Sequence, residues 1–303
     1  MSMSKQQATI VKAHAKINLT LDVLRRRDDG YHEVKMVMQS IDLADIVEIR
    51  EQEKEITVKT DLPGLACDSS NLAYRAAKLL CTRLLIDRGV QITLTKKIPL
   101  AAGLAGGSSD AAAVLQGLNQ LWNLDLTMEE LKRLGAELGS DVPFCLQGGT
   151  ALATGRGEVV TALPDIPACW LVLAKPPVEV STAWVYGNYQ NQAGILHPDT
   201  EGVIRCLQDR DLIGIAAKLG NVLETVTIPA HPEIGRIKQC LLENGALGVL
   251  MSGSGPTVFG IMPDQHRAEQ AAERLSQQEK TQIMVTKTVS KVVGAHGTAL
   301  SAD

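Results

Sequence analysis

The segment P-L-A-A-G-L-A-G-G-S-S-D, residues 99–110, sets three glycines (Gly103, Gly106 and Gly107) directly ahead of two serines and an aspartate. Glycine lets the backbone take positive φ and turn its N–H groups toward an anion. Ser108, Ser109 and Asp110 then open a helix, whose unpaired first amides and dipole favour a phosphate. No lysine follows the glycines, so this is not a Walker A loop, and the spacing is not the G-x-G-x-x-G of a Rossmann turn. Taken alone, the segment fits either a phosphate cradle or a plain glycine turn with a Ser or Asp cap. Two more segments carry reactive side chains. In A-K-I-N-L (15–19), Lys16 and Asn18 stand two residues apart in an extended stretch and so share one face. In L-G-S-D-V-P-F (138–144), Asp141 sits in a tight turn after a helix. A surface lysine and a helix-ending aspartate are the plain alternatives.

Aromatic residues are scarce, nine in 303, so a place where they gather is informative. Trp184, Tyr186 and Tyr189 fall within six residues of an uncharged stretch that reads as a loop, and Tyr31 and His32 follow the Asp29-Gly30 turn. Such rings either build a core cluster or offer faces to a flat base, which gains roughly 1–3 kcal/mol on stacking.

Strands and helices must position these groups. Residues 34–39, 45–50 and 55–60 alternate like strands. A helix is expected over 71–88, capped by Ser69, Ser70 or Asn71 and closed by Gly89. Strand 90–97 feeds the glycine-rich turn and an alanine-rich helix to about 122. Thr127 and Glu130 form a capping box for a helix to about Leu138. A run of proline and small residues at 163–167 suggests a boundary, giving domains 1–165 and 166–303. Beyond it we expect a buried strand at 169–176, helices at 199–219 and 231–243, strands within 247–262, a helix at 264–277 and a strand at 281–289. Strands followed by helices in both halves make the fold α+β.

Composition narrows the function. The chain is 45% hydrophobic and 21% charged, which excludes disordered, collagenous and coiled-coil classes. A net charge of −4 argues against holding nucleic acid by general electrostatics. Six scattered cysteines, with no C-x-x-C pair and no H-x₃₋₅-H, suggest reduced thiols in a cytoplasmic protein and no zinc site. The uncharged run Asn244–Pro263 holds five glycines and two prolines, so strand-turn-strand is expected there and not a membrane span. With about eight residues before the first expected strand, no organellar transit peptide is expected.

Together A-K-I-N-L, P-x-x-x-G-L-A-G-G-S-S-D, L-G-S-D-V-P-F and G-S-G-P-T (253–257) run through nearly the whole chain in an order that resembles the GHMP kinases. That resemblance implies a two-domain fold, with an N-terminal half like domain 2 of ribosomal protein S5 and an α+β C-terminal half with an antiparallel sheet. It implies ATP as phosphoryl donor, accompanied by Mg²⁺, with the phosphates held by Pro99, Leu100, Ala101, Ala102, Gly103, Leu104, Ala105, Gly106, Gly107, Ser108 and Ser109. Ser108 is the candidate contact to the metal. Ala105 stands where many members have glycine, and a negative φ is expected of it. Asp141 is then the base beside the acceptor hydroxyl, and Lys16 steadies charge developing on the acceptor oxygen and the transferring group. A-K-I-N-L followed by D-G-Y-H-E (29–33) is similar to the branch that phosphorylates the 2-hydroxyl of a cytidine-diphosphate-linked methylerythritol for non-mevalonate isoprenoid synthesis. On that pattern Asn18, Tyr31, His32, Thr182 and Tyr186 bind the acceptor, the cytosine lying between Tyr31 and Tyr186, with His32 reading its edge. The partners expected are these two small molecules, without nucleic acid or membrane. Homoserine or mevalonate kinases are the alternatives within the superfamily. A non-catalytic nucleic-acid-binding S5-like module is the alternative outside it, disfavoured by the acidic balance and by having both Lys16 and Asp141.

Overall fold

The computed structural model describes residues 8–190, 194–277 and 280–290. The N-terminal half contains strands β1 (Ala8–Arg26), β2 (His32–Gln52) and β3 (Ile56–Thr60), helix α1 (Leu72–Leu84), β4 (Gly89–Thr95), helices α2 (Gly106–Leu121), α3 (Met128–Leu138) and α4 (Val142–Gln147), and strands β5 (Thr150–Thr154) and β6 (Val159–Ala162). After these come β7 (Trp170–Lys175), helices α5 (Thr182–Asn188), α6 (Thr200–Gln208) and α7 (Leu212–Ala217), and the short β8 (Gly220–Asn221). The remainder is α8 (Glu224–Ala230), α9 (Pro232–Glu243), β9 (Gly248–Met251), β10 (Val258–Met262), α10 (Gln265–Ser276) and β11 (Gln282–Lys287).

Among the described residues one sheet runs β3-β4-β2-β1-β8, with β5 on β2 and β6 on β5. The second runs β11-β7-β10-β9 and is antiparallel throughout. The long β1–β2 hairpin is the frame of the first sheet. Its register shifts between His14 and Lys16 and again between Asn18 and Thr20. Bulges of this kind re-aim side chains, and these two flank Lys16 and Asn18.

Three apolar clusters hold the layers. One lies between the first sheet and α1–α4, built from Val47, Ile49, Leu80, Ile92, Leu115 and neighbours. The other two draw on both halves of the chain: Leu21 and Met38 pack with Val172 and Met251, and Ile17 and Leu104 with Leu173 and Phe259. The expected 34–39 alternation is overridden for this reason. Val37 and Gln39 are fully buried too, because the second half covers the face that alternation would leave in water.

Local signals explain most element ends. Thr127 and Glu130 make the expected capping box, and Asn71 caps α1. Three expectations are corrected. Helix α1 stops at Leu84 because Leu85 takes the left-handed cap; Gly89 instead lies where a Cβ would collide with Glu55. The expected helix 199–219 is two helices, broken where Arg210 is left-handed (φ 55°) and Asp211 caps the next turn. The 184–189 stretch is not a loop: Ser181 accepts from Trp184 N–H and starts α5.

Candidate active site

A cavity of about 1110 Å³ lies where the glycine-rich loop, β1 and the start of α2 meet Asp141, α5 and the 253–254 turn. Pro99, Leu100, Ala101, Ala102 and Gly103 line it, as do Ala105, Gly106, Gly107 and Ser108. Ala101, Gly103 and Ala105 are all left-handed, with φ of 49°, 72° and 60°. The negative φ expected of Ala105 is therefore corrected. Ala105 is the N-cap of α2, makes no side-chain cap, and so leaves the first amides of the helix for an anion. The two other loop residues named from the sequence do not face the cavity. Leu104 is 1% exposed in the core, and its carbonyl accepts from Lys16 N–H at 3.2 Å. Ser109 turns inward, its Oγ donating to the His14 carbonyl at 2.7 Å. A helix shows each residue in its first turn to a different side, so adjacent serines part company.

The loop is braced from the second half of the chain. Ser252 Oγ donates to the Gly103 carbonyl at 3.0 Å, and a Cβ on Gly103 would collide with the Ser252 carbonyl oxygen. Asn221 Nδ2 in turn donates to the carbonyls of Met251 and Gly253 at 2.9 and 2.8 Å. Sequence reasoning missed Asn221, because nothing in its neighbourhood marks a two-residue strand as a brace.

Lys16 and Asp141 meet in this cavity. Lys16 Nζ donates to Asn18 Oδ1 at 2.8 Å and stands 3.9 Å from Asp141 Oδ2. The lysine side chain is 5% exposed and the carboxylate 32%, so the carboxylate faces the open side. Asp141 precedes α4 without capping it, which leaves its oxygens available. Asn18 Nδ2 donates to Met36 Sδ at 3.2 Å, fixing which way the amide points. Cys145 lies close by; burial pushes its thiol up to about 12, with Ser109 drawing it down and Asp141 pushing it up.

The far end of the cavity is aromatic. His32 and Tyr186 approach with ring centroids 5.4 Å apart, and Tyr31, half exposed, lines the same space. Burial lowers the His32 pKa, helped by Arg26, which favours the neutral imidazole. Burial, then the Asp141 carboxylate, raises that of Tyr186. Thr182 Oγ1 lies 2.9 Å from Ser254 Oγ, tying α5 to the 253–254 turn. The rings of the α5 stretch divide: Tyr186 and Tyr189 line the cavity, whereas Trp184 is 44% exposed and does not. Arg156, whose guanidinium sits 5.2 Å over the Tyr31 ring, also lines it and was not picked out from the sequence. Its T-G-R-G-E turn (154–158) was the available signal.

Family models for the GHMP kinases N-terminal domain and the GHMP kinases C-terminal region match residues 71–149 and 200–281. The 4-diphosphocytidyl-2-C-methyl-D-erythritol kinase of Geobacillus kaustophilus is 54% identical over 261 residues, 86% of this chain and 90% of that protein. The chain belongs to the 4-diphosphocytidyl-2-C-methyl-D-erythritol kinase family of GHMP kinases. The Lachnospira eligens member is 49% identical over 92% of this chain and 97% of its own length. A crystal structure of 4-(cytidine 5'-diphospho)-2C-methyl-D-erythritol kinase superposes with a TM-score of 0.78 at 34% identity, covering 93% of this chain and all of that one. The fold is the two-domain α+β fold of GHMP kinases, and the protein is a kinase with ATP as phosphoryl donor. No helix among the described residues is long and apolar enough to cross a membrane.

Proposed function

We propose that this kinase transfers the γ-phosphoryl group of ATP to the 2-hydroxyl of 4-diphosphocytidyl-2-C-methyl-D-erythritol, giving the 2-phosphate and ADP, as a cytoplasmic step of non-mevalonate isoprenoid synthesis. The observation that carries this reading is the meeting of Lys16 and Asp141, 3.9 Å apart, in the cavity that also holds the uncapped start of α2. Residues 1–165 supply the loop and both charged groups, and residues 166–303 close the acceptor side through α5 and the 253–254 turn.

In the transfer, the acceptor oxygen forms its bond to the γ-phosphorus as the bond from that phosphorus to the β,γ-bridging oxygen breaks. The hydroxyl proton passes to the Asp141 carboxylate. An aspartate is a weak base, so it orients the hydroxyl first and takes the proton late. The Lys16 ammonium neutralises charge on the attacking oxygen and the transferring group. Backbone amides of the loop and of the first turn of α2 hold the ADP part still. Mg²⁺ fits this donor set. Among the described residues there is no cluster of three or more His, Cys, Asp or Glu that could hold a metal; Ser108 and Asp141 line the cavity, and a hydrated hard cation carried by the phosphates takes few protein ligands. Ser108 would hold it, and the ion would offset charge on the β- and γ-oxygens.

At the remote end, Tyr31 and Tyr186 hold the cytosine ring, neutral His32 reads its edge, and Asn18 and Thr182 bind the polyol diphosphate. Binding energy collected there holds the reacting hydroxyl beside Asp141. The test is ADP release by the purified protein with 4-diphosphocytidyl-2-C-methyl-D-erythritol, homoserine or mevalonate as acceptor. Turnover is expected with the first alone. Turnover with homoserine or mevalonate instead, or with none of the three, overturns the assignment.

A further inference from the structure

Beneath the phosphate loop, outside the cavity, lies a buried ionic triad. Lys96 follows β4, and its Nζ donates to one oxygen of Asp45 on β2 and, at 2.5 Å, to Oδ2 of Asp110 on α2. The three side chains are 3%, 0% and 4% exposed. The second oxygen of Asp45 accepts the backbone N–H groups of Lys97 and Ile98, at 2.5 and 2.8 Å. The second oxygen of Asp110 is buried without a hydrogen-bond partner. Burial pushes Asp110 up to about 7, Lys96 pulling it down and Asp45 pushing it up.

Such an arrangement is a poor way to gain stability, because desolvating charges offsets most of their attraction. Its placement gives it another use. Asp45 grips the backbone at residues 97–98, immediately before the loop, and Lys96 joins that grip to Asp110, in the opening turns of the helix that follows the loop. The approach is close: a Cβ on Gly106 would stand 3.1 Å from Ile98 Cγ2 and 3.7 Å from Lys96 Nζ. Both ends of residues 99–105 are thus tied to one point on β2. None of the three side chains lines the cavity, so they reach a ligand only through the loop.

We propose that Lys96, Asp45 and Asp110 are positioning residues that hold the two ends of the phosphate loop in register and thereby set the affinity for the nucleotide phosphates. The inference rests on the loop being the ATP site, and its test separates the two ideas. The probe is ADP with Mg²⁺, titrated calorimetrically into wild type, Asp110→Ala and Asp110→Asn, with folding checked by circular dichroism. Asp110→Ala is expected to weaken ADP by about tenfold, the scale on which loosened positioning is felt, with the KM of the cytidine acceptor changed by less than about twofold. Asp110→Asn keeps an oxygen for Lys96 and is expected to recover part of the loss. It carries the test by the same ADP-against-acceptor comparison if Asp110→Ala does not fold. Wild type that binds no ADP would sink the ATP-site reading itself. Wild type that binds ADP, beside folded variants that bind it equally well or lose both ligands alike, would overturn the positioning role alone.

Discussion

Replacing Lys16 by methionine keeps the length of the side chain and removes one charge from a nearly dry position. Its ammonium stands 3.9 Å from Asp141 Oδ2, where two unit charges attract by about 4 kcal/mol at an effective dielectric of about 20. Asp141 is 32% exposed, and solvent screening brings a usable coupling nearer to about 1–2 kcal/mol. Each single change removes more than this coupling. Loss of a group that meets developing charge costs about 10²–10³-fold in turnover. Loss of a positioned base, as in Asp141→Asn, costs about 10²–10⁴-fold. The double variant should retain about tenfold more turnover than the product of the two single losses, since the groups act on one oxygen as a unit. ADP affinity should hardly move, because the missing interactions belong to the transition state. The assay is steady-state ADP release with the cytidine acceptor, run on all four corners of the cycle, alongside ADP titration. Losses that simply multiply would mean that Lys16 and Asp141 act independently. Wild-type turnover in either single variant would refute their assignment.

Tyr186→Ala should weaken the cytidine acceptor by roughly 1–3 kcal/mol in calorimetry while sparing ADP, and Tyr186→Phe should be close to neutral, because stacking uses the ring. Trp184→Ala, whose ring lies outside the cavity, should leave acceptor binding unchanged; a loss there equal to that of Tyr186→Ala would move the base to the other side of α5. Gly103→Ala places a methyl against the Ser252 carbonyl in a left-handed residue, and should lower stability by more than about 1 kcal/mol in thermal unfolding and weaken ADP as the loop shifts. Unchanged melting and ADP binding would show that the loop does not need the close contact with residue 252.

What could be read along the chain was whatever a few neighbouring residues decide among themselves. The Thr127–Glu130 capping box, the Asn71 cap, proline at the start of α9 and the same-face placement of Lys16 and Asn18 are all settled within one turn of helix or one pleat of strand. The four motifs likewise marked out a glycine-rich loop, a lysine and a carboxylate, which line one cavity. Contacts across long separations were not legible in neighbouring residues, because burial is decided by which layers meet and not by the residues beside a position; the meeting of Lys16 with Asp141 was implied by the family resemblance alone. Lys16 reaches Asp141, Ser252 braces Gly103 and Lys96 joins Asp45 to Asp110 only after the β1–β2 hairpin, the α2 layer and the second sheet have packed. The same packing turns Leu104 and Ser109 away from the cavity and leaves Trp184 outside it. It also makes left-handed φ bearable at Ala105, whose neighbours hold the loop from both sides: Lys16 N–H on the Leu104 carbonyl and Ser252 Oγ on that of Gly103. Local preference alone disfavours that conformation for alanine by about 1–2 kcal/mol, and hydrogen bonds contributed from far along the chain offset it.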